Sequence, residues 1–342
     1  MPKENPFSDI QTILPAEKLV EVVFRKSMKS MGSGGIDGVS PLILSRRLES
    51  KRVQECAKGF KDKLEIIIKQ FPNLDEIPPF YQEMVELLVG KDNLRKILGS
   101  FQGIIYQLWK IQREHKSKIW NGTIKEAKKE RKAAFSRFKS VILQTDSRLD
   151  HIRDLVVNLK KLPAIDFDNI RIVVAGFPNV GKSTFLKAIT NANPEIANYP
   201  FTTKDVLIGH YQGTDKFNYL NVQVIDTPGL LDRSIEERNN IEKRAIAALK
   251  TLPSVILFLF ESGGEDINKQ INLFLELKKQ FNQIAILPII NKIDLIDDNM
   301  LNLITNNIES KIHEKIFASL TMKNIEESNF LMKNILTFLQ YG

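Results

Sequence analysis

Residues 176–183 read GFPNVGKS, a GxxxxGK[ST] loop, and no other stretch limits this chain's fold so tightly. The pattern turns bare backbone N–H groups toward a polyphosphate, places a lysine on its outer oxygens and offers a hydroxyl to Mg²⁺. It works only between a strand and a helix. The apolar run Ile170–Ala175 precedes it and the helix-like Ser183–Thr190 follows, so the required order is present. Gly176, Phe177, Pro178, Asn179, Val180, Gly181, Lys182, Ser183 and Thr184 are therefore candidate nucleotide contacts, with Lys182 on the β- and γ-phosphates.

From Ile170 onward short apolar runs alternate with helical stretches, which predicts a mostly parallel sheet with helices on both faces. The expected strands are Ile170–Ala175, Asp205–Tyr211, Asn221–Ile225, Ser254–Phe260, Ile284–Ile290 and Lys315–Ala318. Before residue 163 no strand pattern is found. Helical periodicity covers Ala16–Met31, Pro41–Gln70, Pro79–Leu88 and Lys91–Trp120, and one long pattern runs from Thr123 to about Leu162. The expected organisation is an all-α bundle over 1–162, ending in a long basic helix, followed by an α/β P-loop GTPase domain over 163–342.

Charge is unevenly placed. Residues 1–170 carry 31 Lys+Arg against 22 Asp+Glu, residues 171–342 carry 18 against 19, and residues 101–160 alone carry 14 against 6. A basic excess confined to one helical segment suits a polyanionic partner, and Tyr106, Trp109 and Trp120 add stacking faces. Lys128, Lys129, Arg131, Lys132, Arg137 and Lys139 lie mostly off the apolar seam of the long helix, and the basic segment as a whole is the expected RNA contact. The single cysteine, Cys56, excludes an internal disulfide, and no apolar run is long enough to span a bilayer. A cytoplasmic protein without membrane partners, monomeric when free, is the expectation. The four histidines have no metal-ligand spacing.

Further motifs follow in the order a GTPase needs. In NYPFTTK (198–204) Thr203, or its neighbour Thr202, can reach Mg²⁺ only while the γ-phosphate holds the segment in place. In DTPG (226–229) Asp226 sits at a strand end beside the Mg²⁺ shell, and the Gly229 N–H can approach the γ-phosphate. In NKID (291–294) the Asp294 carboxylate matches the N1–H and N2–H₂ donors of guanine, which adenine lacks. Asn291 is expected at the neighbouring base edge and the Lys292 stem over the ring. The run Lys315–Ala318 leads into Ser319, whose N–H is the expected contact to the guanine O6. Catalysis is assigned to Lys182, Thr203 and Gly229, and metal binding to Ser183, Thr203 and Asp226. Leu230 stands where many small GTPases place a water-orienting glutamine, so slow intrinsic hydrolysis is expected.

GFPNVGKSTF, NYPFTT, DTPGLLD and NKIDL together resemble the Obg-related branch of translation-factor-class GTPases. Within it, NPFSDIQTILPAEKLVEVVFRKS (5–27) and KLPAIDFDNIRIVVAG (161–176) are similar to the nucleolar GTP-binding protein 1 family, in a short, archaeal-like form. That resemblance implies a GTP-hydrolysing switch that associates with large ribosomal subunit precursors, through rRNA and ribosomal proteins, and assists their maturation. It also implies that Asn179 helps hold a K⁺ ion beside the phosphates. The alternatives are a general Obg-like GTPase acting on mature ribosomes or tRNA, and a GTP-binding scaffold that does not hydrolyse.

Overall fold

The computed structural model describes residues 5–29, 39–190, 194–197, 206–214, 219–227, 231–232, 246, 249–263 and 266–341. Two compact units emerge: one comprises Pro6–Ile77 and Leu88–Lys160, the other Asn5, Pro78–Leu87 and the chain from Lys161 onward. Among the described residues, no helix is long and apolar enough to cross a membrane.

The first unit is helical, built from α1 (Ala16–Lys29), α2 (Pro41–Gln70), α4 (Lys91–Asn121), α5 (Ile124–Leu143) and α6 (Asp146–Lys160). Apolar side chains at helical spacing meet in a ring cluster: Phe24 lies 4.7 Å from Phe135 and 6.0 Å from Phe60, which lies 6.3 Å from Phe138. Thr123 and Glu126 form a reciprocal capping box at the start of α5. Buried Glu49 accepts from Arg52 at 3.0 Å and Arg131 at 2.5 Å, so a charge that would be costly alone is neutralised inside the bundle.

That pairing corrects part of the sequence reading. Arg131 serves the bundle's own packing, whereas Lys128, Lys129, Lys132 and Lys139 are exposed, as is Arg137, which reaches Glu114 at 2.6 Å on the surface. The single long basic helix is corrected too: it breaks at Gln144–Thr145 into α5 and α6. The buried Thr145 hydroxyl donates back to the Ile142 carbonyl at 2.6 Å, an alternative to continued helix. Asp146, next in the chain, accepts the Ala16 N–H at 3.1 Å, which fixes the turn to the start of α1.

The second unit is a seven-stranded sheet in the order β2-β3-β4-β1-β5-β6-β7. Its strands are β1 (Ile170–Ala175), β2 (Glu195–Ala197), β3 (Val206–Thr214), β4 (Tyr219–Asp226), β5 (Val255–Glu261), β6 (Ala285–Asn291) and β7 (Ala318–Leu320). Pairing is parallel from β4 through β1, β5 and β6 to β7; only β2–β3 and β3–β4 are antiparallel. Alternation along β5 shows both faces are covered. Val255, Leu257 and Leu259 join a core with α7 (Lys182–Ile189) and α10 (Ile325–Tyr341). On the opposite face Phe258 and Phe260 meet Phe274 of α8 (Ile267–Gln280) at 5.3 and 5.7 Å. A further helix, α9, spans Asp298–Ile312.

Helix α3 (Pro79–Leu88) precedes α4 in sequence yet clusters with the sheet unit. Its Tyr81 hydroxyl donates to the Pro163 carbonyl at 2.8 Å and accepts the Ile165 N–H at 3.0 Å. From β4, the buried Gln223 amide donates to Ala164 O at 2.8 Å while its oxygen accepts the Asp166 N–H at 3.1 Å. Successive backbone groups of the strand-free segment before β1 are thus satisfied by two side chains. Burial pushes the Tyr81 hydroxyl up to about 12, so it stays protonated. Tyr81→Phe strands one buried donor and one buried acceptor, and a loss of about 2–4 kcal/mol is expected in urea unfolding. A loss under about 0.5 kcal/mol would show that water replaces the hydroxyl.

Candidate functional site

The phosphate loop leaves β1 at Gly176 and enters α7 at Lys182, as its sequence requires. Two glycines are demanded by space as well as by backbone angle. At Gly176 (φ +133°) an added Cβ would lie 2.5 Å from the Leu259 carbonyl oxygen. At Gly181 (φ +109°) it would lie 2.2 Å from the Asn291 amide nitrogen. Asn179 also adopts a positive φ of 66°, which asparagine tolerates better than most residues. The Gly176 N–H donates to Leu231 O at 3.1 Å, which brings the segment carrying Asp232 beside the loop.

Lys182 is almost fully buried, and its ammonium donates to the carbonyls of Gly176 and Phe177, both at 2.8 Å. Ser183 Oγ donates to Asp226 Oδ2 at 2.6 Å. Lys182, Ser183 and Asp226 line one cavity of about 320 Å³ together with Asp232. A hydroxyl and a carboxylate side by side are hard oxygen donors that suit Mg²⁺, so the residues present fit that ion.

A second cavity of about 290 Å³ shares Asn179, Gly181 and Thr184 with the first and is walled by Asn291, Lys292, Asp294 and Thr321. The cleft therefore continues from cationic loop to carboxylate wall, as a nucleotide's two ends need. Lys292 sits at φ +63° and its ammonium pairs with Glu261 at 2.6 Å, which holds its stem at the cavity wall. Thr321 Oγ1 donates to Asp294 Oδ1 at 3.0 Å, so one carboxylate oxygen has a fixed partner. The groove between α1 and α2, about 370 Å³, is lined by Val22, Val23 and Ile66 with charged residues at its rim and lies outside the nucleotide motifs.

Asn291 stands in the cleft where its motif places it, and Ser319 does not. Asn291 is buried and braces the site: its amide donates to Val180 O at 2.7 Å and its oxygen accepts the Met322 N–H at 2.9 Å. It ties the phosphate loop to the segment beyond β7, a bond over 111 residues of sequence. Ser319 lies inside β7 and borders a different cavity, with Ile293 and Phe330. The cleft is reached instead by Thr321, Met322 and Lys323. The strand begins later than its apolar run suggests because Glu309 of α9 captures both the Lys315 ammonium and the Ile316 N–H. Thr202, Thr203, Gly229 and Leu230 lie outside the described residues.

Against this geometry, residues 7–166 match the family model described as the NOG1 N-terminal helical domain, and residues 171–292 match a 50S ribosome-binding GTPase model. The chain is 39% identical over 298 residues to an uncharacterised protein of Methanocaldococcus jannaschii, covering 86% of this chain and 82% of that one. It is 31% identical over 330 residues to nucleolar GTP-binding protein 1 of Drosophila melanogaster, covering 95% of this chain and 50% of the relative. The chain belongs to the nucleolar GTP-binding protein 1 family. It spans about half the length of the eukaryotic relatives it matches. A solved nucleolar GTP-binding protein 1 from Plasmodium falciparum is 34% identical and aligns with 52% of this chain and 92% of its own, at a TM-score of 0.41. The matched GTPase part contains the phosphate loop, Asp226, Asn291 and Lys292 of the cleft, while Asp294 and Thr321–Lys323 lie beyond residue 292.

Proposed function

We propose that this protein is a GTP-hydrolysing switch that docks on precursors of the large ribosomal subunit and assists their maturation. The observation that carries the enzymatic half is the continuous cleft, with the Lys182 ammonium at one end and the Asp294 carboxylate at the other. Lys182 and the loop N–H groups bind the β- and γ-phosphates, where charge develops during transfer to water. Ser183 and Asp226, with Thr203 from the first switch, are the proposed holders of Mg²⁺, which when bound neutralises charge on the phosphate oxygens. Gly229 is proposed to approach the γ-phosphate through its N–H. With Leu230 unable to orient water, turnover of the isolated protein is slow, and K⁺ held near Asn179 is proposed to supply part of the missing charge.

The ribosomal half rests on the helical unit. Tyr106, Trp109, Arg113, Lys116 and Trp120 follow one another at three- and four-residue steps along α4, and all are exposed, Tyr106 by 73%. Aromatic faces interleaved with cations suit unpaired rRNA bases and phosphates. The names of the nucleolar relatives and of the ribosome-binding GTPase model support the same reading. We place the working site of this chain in the cytoplasm, on ribosomal precursors.

GTP turnover measured with and without large-subunit particles tests the proposal. Stimulation of about tenfold or more is expected in K⁺ and less in Na⁺, and Arg113→Glu with Lys116→Glu removes the stimulation while leaving basal turnover intact. Equal turnover with and without particles would contradict the proposed role.

A further inference from the structure

The segment after β7 is gripped from two sides. Toward the cleft, Thr321 Oγ1 donates to Asp294 Oδ1 at 3.0 Å and the Met322 N–H donates to Asn291 Oδ1 at 2.9 Å. Away from the cleft, the Thr321 N–H donates to Glu327 Oε2 at 2.7 Å, and Asn324 Nδ2 donates to Glu327 Oε1 at 2.9 Å. The orientation of Asn324 is set independently, because its own oxygen accepts the Glu326 N–H at 3.0 Å at the start of α10. Buried Ser328 adds a bond to Met322 O at 3.2 Å. Glu327, half-buried in the first turn of α10, therefore has each carboxylate oxygen committed to a loop donor.

The consequence is a relay of hydrogen bonds from helix to base reader. Glu327 fixes the backbone of Thr321. The Thr321 hydroxyl then has a set direction, and it holds one oxygen of Asp294. A carboxylate that must meet two donors on a planar base loses affinity when it can swing, since the lost freedom is then restored to the unliganded state. A bond from an ionised acceptor to a backbone N–H is among the stronger ones available for such a task.

We propose that Glu327 is a positioning residue for guanine recognition, acting on Asp294 through Thr321 and never touching the base. This rests on the guanine-nucleotide reading above and adds a residue that the nucleotide motifs do not contain. Glutamine at 327 keeps one acceptor for the Thr321 N–H but turns an amide N–H₂ toward the donor Asn324, so it restores part of the effect. Alanine removes both acceptors.

The test compares GDP with inosine diphosphate, which lacks the N2 amino group and so makes one bond fewer to Asp294. In the wild-type chain GDP is held more tightly than inosine diphosphate. Glu327→Ala is expected to speed GDP release about tenfold and to shrink the GDP preference by a similar factor, with Glu327→Gln within about threefold of wild type. In a double-mutant cycle, Thr321→Val followed by Glu327→Ala adds little beyond Thr321→Val alone. Equal loss for the two nucleotides, or release that is unchanged while the melting temperature falls, would make Glu327 a helix brace and overturn the inference. Full additivity in the cycle would overturn the route through Thr321. If the wild-type chain binds no guanosine nucleotide, the cleft reading itself fails and the inference falls with it.

Discussion

Lys182→Ala is expected to lower GTP affinity about a hundredfold or more, the consequence of deleting one partner of a buried, charge-assisted contact worth about 2–5 kcal/mol. The expectation follows from where the ammonium already sits. It is nearly enclosed, and the Gly176 and Phe177 carbonyls, both at 2.8 Å, restrict where it can point. Little freedom is lost on binding, and most of the Coulomb gain is retained as affinity. Fluorescent GTP analogue titration reads the effect directly. A loss of less than about threefold in the variant would mean that the phosphates lie elsewhere.

Asp294→Asn is the second large effect, and it changes selectivity more than stability. The carboxylate presents two acceptors to the guanine N1–H and N2–H₂ edge; the carboxamide presents one acceptor and one donor. Xanthine carries a carbonyl at C2, so it accepts where guanine donates. A shift of roughly a hundredfold or more in the ratio of xanthosine to guanosine nucleotide affinity is expected, since mispaired polar groups in a closed site discriminate steeply. The Thr321 hydroxyl can still donate to the remaining oxygen, so the loop geometry is retained. Competition of XTP and GTP for the variant reads the ratio. An unchanged preference for GTP would place the base away from Asp294.

Much of the α/β unit was legible in the sequence because its chemistry is local. A loop that needs positive φ at Gly176 and Gly181 leaves glycines at fixed offsets, and buried parallel strands leave apolar runs such as Val255–Phe260. What was not legible depends on contacts between distant residues. The break between α5 and α6 turns on a hydroxyl at Thr145 and on Asp146 meeting Ala16; the apolar steps Phe135, Phe138, Ile142, Leu149, Ile152 skip only position 145, a single gap that by itself reads as one polar residue in a continuing helix. The start of β7 is decided by Glu309 on the preceding helix, so the cleft is lined by Thr321–Lys323 and not by Ser319. Arg131 looked like a surface cation because its partner, Glu49, lies 82 residues earlier. Asn291 lines the cleft in which its motif places it. Its bracing of Val180 and Met322 has no signal in the tetrapeptide that contains it.

The same logic explains why Asp232 and Glu327 were missed. Glu327 belongs to no motif of fixed spacing, and Asp232, though it closes the DTPGLLD run, had no role assigned to it there. Each is placed by backbone pairing, Asp232 by the bond from the Gly176 N–H to Leu231 and Glu327 by the first turn of α10. Lys292 shows the converse case. Its residue type was readable as a wall for the base, while the ion pair with Glu261 that keeps it there was not.

Calorimetric titration of the wild-type chain with GDP, GTP and ATP in the presence of Mg²⁺ bears most directly on the claim that this cleft reads a guanosine nucleotide. One molecule per chain is expected, at micromolar affinity or tighter for GDP and GTP, with ATP weaker by about a hundredfold. Absence of heat with guanosine nucleotides, or equal affinity for GTP and ATP, would contradict it.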